Sequence, residues 1–184
     1  MRIIAGKYRS RKINAPEGMN TRPTLDQVRE AVFSSLGGFF DGGTMLDLFS
    51  GSGAVGLEAL SRGMDQAVFC DIDRKAIQAI KGNIAALKAE QQSLVWAMDF
   101  RKALSQSVAK GLRYDLIYLD PPYHFPDLDE VFQKIREGDL LKENGRIVLE
   151  TKKDETVSVK EFEAYKEARY GIARITYLRR KTDE

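Results

Sequence analysis

The segment Leu46-Asp47-Leu48-Phe49-Ser50-Gly51-Ser52-Gly53-Ala54-Val55-Gly56 constrains the fold more than any other stretch of the chain. A short apolar run that breaks into a glycine loop and resumes as a helix is the opening unit of an α/β sheet. Gly51, Gly53 and Gly56 fit the dinucleotide fingerprint G-x-G-x-x-G, and Asp71 follows Gly51 by 20 residues, where a ribose-binding acid belongs. A nicotinamide-dependent oxidoreductase is therefore one reading. Asp47 argues against it, because its carboxylate precedes the loop where a pyrophosphate would meet the helix N-terminus. S-adenosylmethionine carries no phosphate and brings an ammonium and a sulfonium, which the same carboxylate attracts. The bland alternatives are a plain tight turn for the glycines and a cap for Asp47.

A second motif, Asp120-Pro121-Pro122-Tyr123, follows the apolar run Leu116-Ile117-Tyr118-Leu119. Such a run reads as a buried parallel strand, which delivers the motif to the carboxyl edge of the sheet. An exocyclic amine of a nucleobase is a poor nucleophile because its lone pair is delocalised into the ring. The Asp120 carboxylate and the Pro121 carbonyl could each accept one of its N–H groups, while Pro121 and Pro122 fix the backbone and Tyr123 stacks on the flat base. Orientation of this kind can lower a barrier by about 7 kcal/mol or more without a strong base. Taken alone, the tetrapeptide also suits an ordinary turn.

In this order, about 70 residues apart, the two motifs resemble those of class I methyltransferases that act on exocyclic amines. Three further segments narrow the likeness: Met1-Arg2-Ile3-Ile4-Ala5-Gly6-Lys7-Tyr8-Arg9, Thr21-Arg22-Pro23-Thr24 and Val28-Arg29-Glu30-Ala31-Val32-Phe33. With them the whole chain resembles the bacterial small-subunit ribosomal RNA guanine-N2 methyltransferases of the RsmD type. The resemblance implies a Rossmann-like α/β fold with a mostly parallel seven-stranded sheet, helices on both faces and a C-terminal antiparallel hairpin. It implies S-adenosylmethionine as methyl donor, S-adenosylhomocysteine as product, and 16S ribosomal RNA, within an assembling 30S particle, as partner. Asp47, Phe49, Gly51 and Gly53 would hold the cofactor, Asp71 its ribose with Ile72 against the adenine, and Asp99 and Phe100 would border the adenine. Asp71 and Asp99 have alternatives in turn and cap chemistry. Cys70-Asp71-Ile72 departs from the valine, glutamate and charged residue common in the family.

Net charge is only +2, but it is unevenly spread. Residues 1–30 hold Arg2, Lys7, Arg9, Arg11, Lys12, Arg22 and Arg29 against Glu17, Asp26 and Glu30, leaving the rest of the chain at −2. A basic arm on a near-neutral body is the footprint of docking on phosphates at one face. The pattern predicts a β-hairpin arm over residues 1–24, with Arg2–Ala5 pairing with Ser10–Ile13 and with Lys7, Tyr8 and Arg9 at its tip. By resemblance these three, with Arg11, Lys12 and Arg22, contact RNA.

The remainder, 25–184, reads as one catalytic domain, monomeric and cytoplasmic, with no apolar run near the ~20 residues that span a membrane. The single Cys70 reads as a buried thiol, and with one histidine, His124, no metal site is expected. Thr24 is expected to cap a helix carrying Leu25, Val28, Val32 and Leu36. Strands are expected near 44–48, 67–71, 93–97, 114–120 and 145–150, and helices near 54–62, 73–88, 100–110 and 126–137. Residues 164–170 and 173–179 read as a hairpin about Gly171. A DNA adenine or cytosine methyltransferase shares both motifs but usually adds a recognition domain. A non-catalytic RNA-binding module would have lost these pocket residues.

Overall fold

A computed structural model describes residues 1–18 and 23–182. Its elements in chain order are α1 (Pro23–Ser35), β1 (Thr44–Asp47), α2 (Ala54–Ser61), β2 (Gln66–Asp71), α3 (Arg74–Leu87), β3 (Ser93–Ala97), α4 (Phe100–Ala109), β4 (Tyr114–Leu119), α5 (Leu128–Glu137), β5 (Leu141–Lys152), β6 (Glu163–Tyr170) and β7 (Ala173–Arg179). A single 3-10 turn, Glu90–Gln92, leads into β3. The strands form one sheet in the order β3-β2-β1-β4-β5-β7-β6. The first five run parallel, and β7 is antiparallel to both of its neighbours.

The central strands are apolar almost without interruption because helices cover both faces. On one face Met45, Leu116, Tyr118 and Val148 pack under α1, α2 and α3. On the other, Leu46, Ile117, Leu119 and Leu149 pack under α4 and α5. Asp73 caps α3 by accepting from the Lys75 N–H at 3.1 Å, and Asp99 caps α4 by accepting from Lys102 N–H at 2.9 Å. The third fingerprint glycine serves packing, since a Cβ on Gly56 would lie 2.3 Å from the Phe69 ring. Strand order reverses between β1 and β4, so a crevice opens at their carboxyl ends.

Three expectations need correction. The N-terminal pairing is present but shorter than expected: around one antiparallel bridge of Arg2 with Lys12, the Ile3 N–H donates to the Arg11 carbonyl, Ser10 N–H to the Ile3 carbonyl and Ile13 N–H to the Met1 carbonyl. The Ile4 and Ala5 N–H groups instead turn to Glu58, and the segment lies along α2. Ile3 and Ile13 are each only 1% exposed, because α2 and α3 offer an apolar face that the lone segment needs. At its turn the Lys7 N–H donates to the Ser61 carbonyl, and a Cβ on Gly6 would stand 1.8 Å from that oxygen. Second, α1 starts at Pro23, so Thr24 lies within its first turn and does not cap it. Third, α5 starts at Leu128, leaving Pro126 in the preceding turn. Thr21 and Arg22 lie outside the described residues.

The arm and α1 are fastened through one fully buried carboxylate. Glu58 accepts from the backbone N–H of Ile4 at 3.0 Å and of Ala5 at 3.2 Å, from Arg29 Nε at 3.0 Å and from Arg62 Nε at 2.9 Å. Arg29 also donates to Asp26 and to the Arg2 carbonyl. Counted in sequence among the exposed charges of the arm, Arg29 is therefore spent inside the fold, 4% exposed. Glu58→Gln, which keeps the shape but leaves buried Arg62 without a counter-charge and Arg29 with Asp26 alone, is expected to cost about 3–5 kcal/mol. Urea unfolding measures it; a loss under ~1 kcal/mol would mean that the arginines find other partners.

Candidate active site

Asp47, the last residue of β1, is buried and bonded from below the loop. Its Oδ2 accepts from Ser50 Oγ at 2.9 Å and from the Gly56 N–H at 3.2 Å, so the carboxylate braces the glycine turn and the start of α2. Burial pushes its pKa up to about 7; the Ser50 and Gly56 bonds oppose the shift, and the nearby Asp71 charge adds to it. Asp71, ending β2, accepts from the Gly51 N–H and from the Asp73 N–H, each at 2.9 Å. It thereby ties the loop to the neighbouring strand and shapes the turn, with lone pairs left over for a ligand hydroxyl.

Three cavities meet at Asp120. The first, about 500 Å³, is lined by Phe49, Gly51, Asp71, Ile72, Asp99, Phe100, Phe125 and Pro122, with Asp120 at its inner end. Three of these side chains form a cluster: Phe125 packs edge-on against Phe49 at 5.3 Å and Phe100 at 5.4 Å between ring centroids. Ile72 is 78% exposed at the rim, a large apolar side chain with nothing over it. The second cavity, about 190 Å³, lies between Asp47, Phe49, Tyr118, Asp120, Glu150 and the covering residues Met1, Pro16, Val28 and Arg29. The third, about 620 Å³, opens between Asp120, Pro121, Tyr123, Glu150, Lys152 and the β6–β7 turn at Tyr170 to Ala173.

Tyr123 stands at the mouth of this last cavity, 43% exposed. Its hydroxyl donates to Asp154 at 3.0 Å, and the Lys152 ammonium lies 4.1 Å from its ring centroid, so the ring is held from two sides. His124 has φ +57° and is exposed, its ring 3.7 Å from that of Tyr123. The Asp120 carboxyl is pushed well up by the surrounding protein and by the Glu150, Asp47 and Glu155 charges, although the residue as a whole opens to solvent through the cleft.

The sequence reading missed Glu150 and Phe125. Leu119 stands opposite Leu149 in the β4–β5 register, so Asp120 and Glu150 are the next residues along on adjacent parallel strands, ~5 Å apart across the ladder. The signal was available: Glu150 ends the apolar run Ile147-Val148-Leu149 as Asp120 ends its own. Its Oε1 accepts from the Tyr118 hydroxyl at 2.6 Å. Phe125 gave no sequence signal, since only the turn after the second motif folds it back onto Phe49.

The arm residues divide. Its base reaches the site, since Met1 and Pro16 line a cavity there. Asn83 of α3 bonds both Asn14 and the Ser52 carbonyl of the glycine loop. Its tip does not: Lys7, Tyr8 and Arg9 sit at the far end of α2, where Lys7 Nζ donates to Gln92 at 2.6 Å beside the amino end of β3. The eight residues of α2, ~12 Å, separate that tip from the crevice. Arg11 donates to the Ala86 carbonyl at 2.8 Å, and both Arg11 and Lys12 are exposed. Cys70 is buried, its thiol donating to the Met98 carbonyl and pushed up to about 12 by burial and by Asp71, Asp47 and Asp99, which leaves it inert.

Residues 1–179 match the model of a family described as conserved hypothetical protein 95. YlbH of Bacillus subtilis is 42% identical over 150 residues, covering 82% of either chain. The ribosomal RNA small subunit methyltransferase D of Haemophilus influenzae is 35% identical over 158 residues, covering 84% of this chain and 80% of its own. The solved structure of yhhF from Escherichia coli superposes with a TM-score of 0.84 at 32% identity, covering 100% of this chain and 99% of that one.

Because the folded pKa of Asp47 lies above its ordinary value of 3.8, the folded chain holds a proton that the unfolded chain has released between about pH 4 and 7. Stability from this group is complete below pH 4 and falls as pH rises through 7. Asp47→Asn, which can keep an acceptor toward Ser50 and Gly56, is expected to gain on the wild type across that window and then hold a constant lead. Denaturation at pH 4, 5.5, 7 and 8 measures the difference; a difference flat with pH would contradict the shift.

Proposed function

The chain belongs to the conserved hypothetical protein 95 family, and from that premise we propose that it transfers a methyl group from S-adenosylmethionine to the exocyclic N2 amine of a guanine in 16S ribosomal RNA. One observation carries this reading: the Asp120 carboxylate lies where an aromatic cavity beside the glycine loop meets an open cavity walled by Tyr123. A methyl donor and a base placed in those two cavities would face each other across it.

The residues fit the donor. Asp47 puts a carboxylate, not a phosphate cradle, beside the loop, and its attraction to a cation offsets the burial that raises its pKa. Gly51 is open on its ligand side, where a Cβ would meet nothing within 4 Å. Phe49, Phe100 and Phe125 offer apolar walls to a purine, with Ile72 at its edge and Asp99 near its amine. Asp71 has acceptor capacity for ribose hydroxyls. When bound, S-adenosylmethionine supplies a methyl carbon on a cationic sulfur and leaves as S-adenosylhomocysteine.

The chain's own part is orientation. Tyr123 stacks on the extruded guanine, and the bond to Asp154 and the Lys152 cation keep its ring in place. Asp120 and the Pro121 carbonyl accept the two N2 hydrogens, which turns the amine lone pair toward the methyl carbon. No described residue donates to the Asp120 carboxylate, so both oxygens are available. As the new N–C bond forms, the amine sheds one proton, for which the raised pKa of Asp120 provides an acceptor.

Residues 1–24 serve as the RNA-contacting arm of a catalytic domain over 25–184. Lys7, Tyr8, Arg9, Arg11, Lys12 and Arg22 are offered to phosphates, with the tip group reaching RNA that runs down the α2 flank and away from the crevice. The substrate is RNA within an assembling 30S particle, and the enzyme acts as a monomer.

Methyl transfer from labelled S-adenosylmethionine to small-subunit particles lacking the modification tests the reading. Label is expected in N2-methylguanosine. Asp120→Ala should lower turnover roughly 1000-fold or more while leaving cofactor affinity within about threefold. Label in another nucleoside, or full activity of the variant, would overturn it.

A further inference from the structure

We propose that Glu150 is the residue that selects guanine, by accepting the hydrogen of guanine N1 beside the amine held at Asp120. The inference rests on the guanine-N2 reading above and supplies what that reading lacks, since Asp120-Pro121-Pro122-Tyr123 can orient the amine of adenine or cytosine equally well.

Side-chain alternation and strand register put Asp47, Tyr118, Asp120 and Glu150 on one face of the sheet at its carboxyl edge. Glu150 lines both cavities that open on that face. Among the described residues the Tyr118 hydroxyl is its one hydrogen-bond donor, and it occupies Oε1 alone. That bond fixes the carboxyl group and leaves the other oxygen for a ligand. No lysine or arginine is paired with it among the described residues. A half-buried carboxyl held open beside a second one is costly to the fold in its ionised form, burial pushing it above the usual carboxylate range, and a ligand that brings donors would relieve that cost.

Guanine brings donors in the required pattern. Its Watson–Crick edge carries N1–H beside the N2 amine, three hydrogens on two nitrogens joined through C2. Adenine and cytosine carry a bare ring nitrogen next to their amines, N1 and N3 respectively, and that lone pair would face the Glu150 oxygen. Two acceptor side chains on neighbouring strands therefore match guanine and repel the other two amine-bearing bases. Glu150 acts on recognition, with Tyr118 as its positioning residue.

The test uses 2-aminopurine, which keeps the 2-amine of guanine but has a bare N1. Once label has been mapped to one guanine, particles carrying guanine or 2-aminopurine at that position are compared as substrates for wild type, Glu150→Gln and Tyr118→Phe. Wild type is expected to favour guanine roughly 10- to 100-fold in kcat/KM, the range for a hydrogen bond to a charged group. Glu150→Gln can turn its amide nitrogen toward a bare N1, so the preference should fall to within about threefold, through loss on guanine and none on 2-aminopurine. Tyr118→Phe, which keeps the carboxylate but frees it, should fall between. A Glu150→Gln variant that loses activity equally on both substrates would overturn the proposal and leave Glu150 a structural group. Wild type that methylates guanine and 2-aminopurine equally would overturn it too, with the guanine-N2 reading intact. Failure of wild type to form N2-methylguanosine would bring down the underlying reading and this inference with it.

Discussion

The buried Glu58 carboxylate is the fastening on which the catalytic end of this molecule depends. One side chain on α2 receives the backbone of the N-terminal arm and both buried arginines, Arg29 from α1 and Arg62 from the end of its own helix. Arg29 in turn holds the Arg2 carbonyl, which closes the circle between arm and helix. Apolar packing of Ile3 and Ile13 supplies adhesion without direction, whereas these bonds fix where Met1, Pro16 and Val28 come to rest over the crevice. The cover of the active site is thus set by charge pairing some distance from any reacting atom.

The crevice itself is lined by acids. Asp47, Asp120 and Glu150 share one face, with Asp71 and Asp99 across the loop. Such a lining is destabilising in the empty protein, and two of its consequences are chemical. It favours a cationic methyl donor over any phosphate-bearing dinucleotide, and it keeps nucleic-acid phosphates outside while admitting a neutral base. Apart from Arg29, which covers the second cavity but is paired with Glu58 and Asp26, and Arg101, which borders the first but is paired with Asp127 and Glu130, the basic side chains sit away from the centre, on the arm and at Lys152 and Lys153 by the rim.

Much of this could be read from residues alone. The strand–loop–helix of Leu46–Gly56 and the apolar run into Asp120 gave the sheet, its switch point and both halves of the site, because local pattern and global fold agree there. The arm was read less well. Its charges are visible in sequence, but whether Arg29 faces water or Glu58, 29 residues away, is decided by tertiary contact. The direction of the tip was likewise illegible, since it follows from Gly6 fitting against Ser61, 55 positions on. Glu150 was legible and overlooked: its strand was marked, yet the acid at its end carried no motif to draw notice.

The antiparallel return of β7 along β5 turns the edge of the sheet back toward the carboxyl ends, so the turn at Tyr170–Ala173 forms an outer wall of the Tyr123 cavity. The tip of that wall, Gly171 and Ile172, is exposed although Tyr170 and Ala173 on either side pack against the core, and lengthening such a turn twofold costs only ~0.6 kcal/mol in closure entropy. Under the proposed function this turn borders the substrate entrance, and its exposed tip can change length at little cost to the fold. New RNA contexts could be accommodated by insertions at Gly171 while Glu58 and the glycine loop stay untouched, which separates the evolution of target choice from that of methyl transfer.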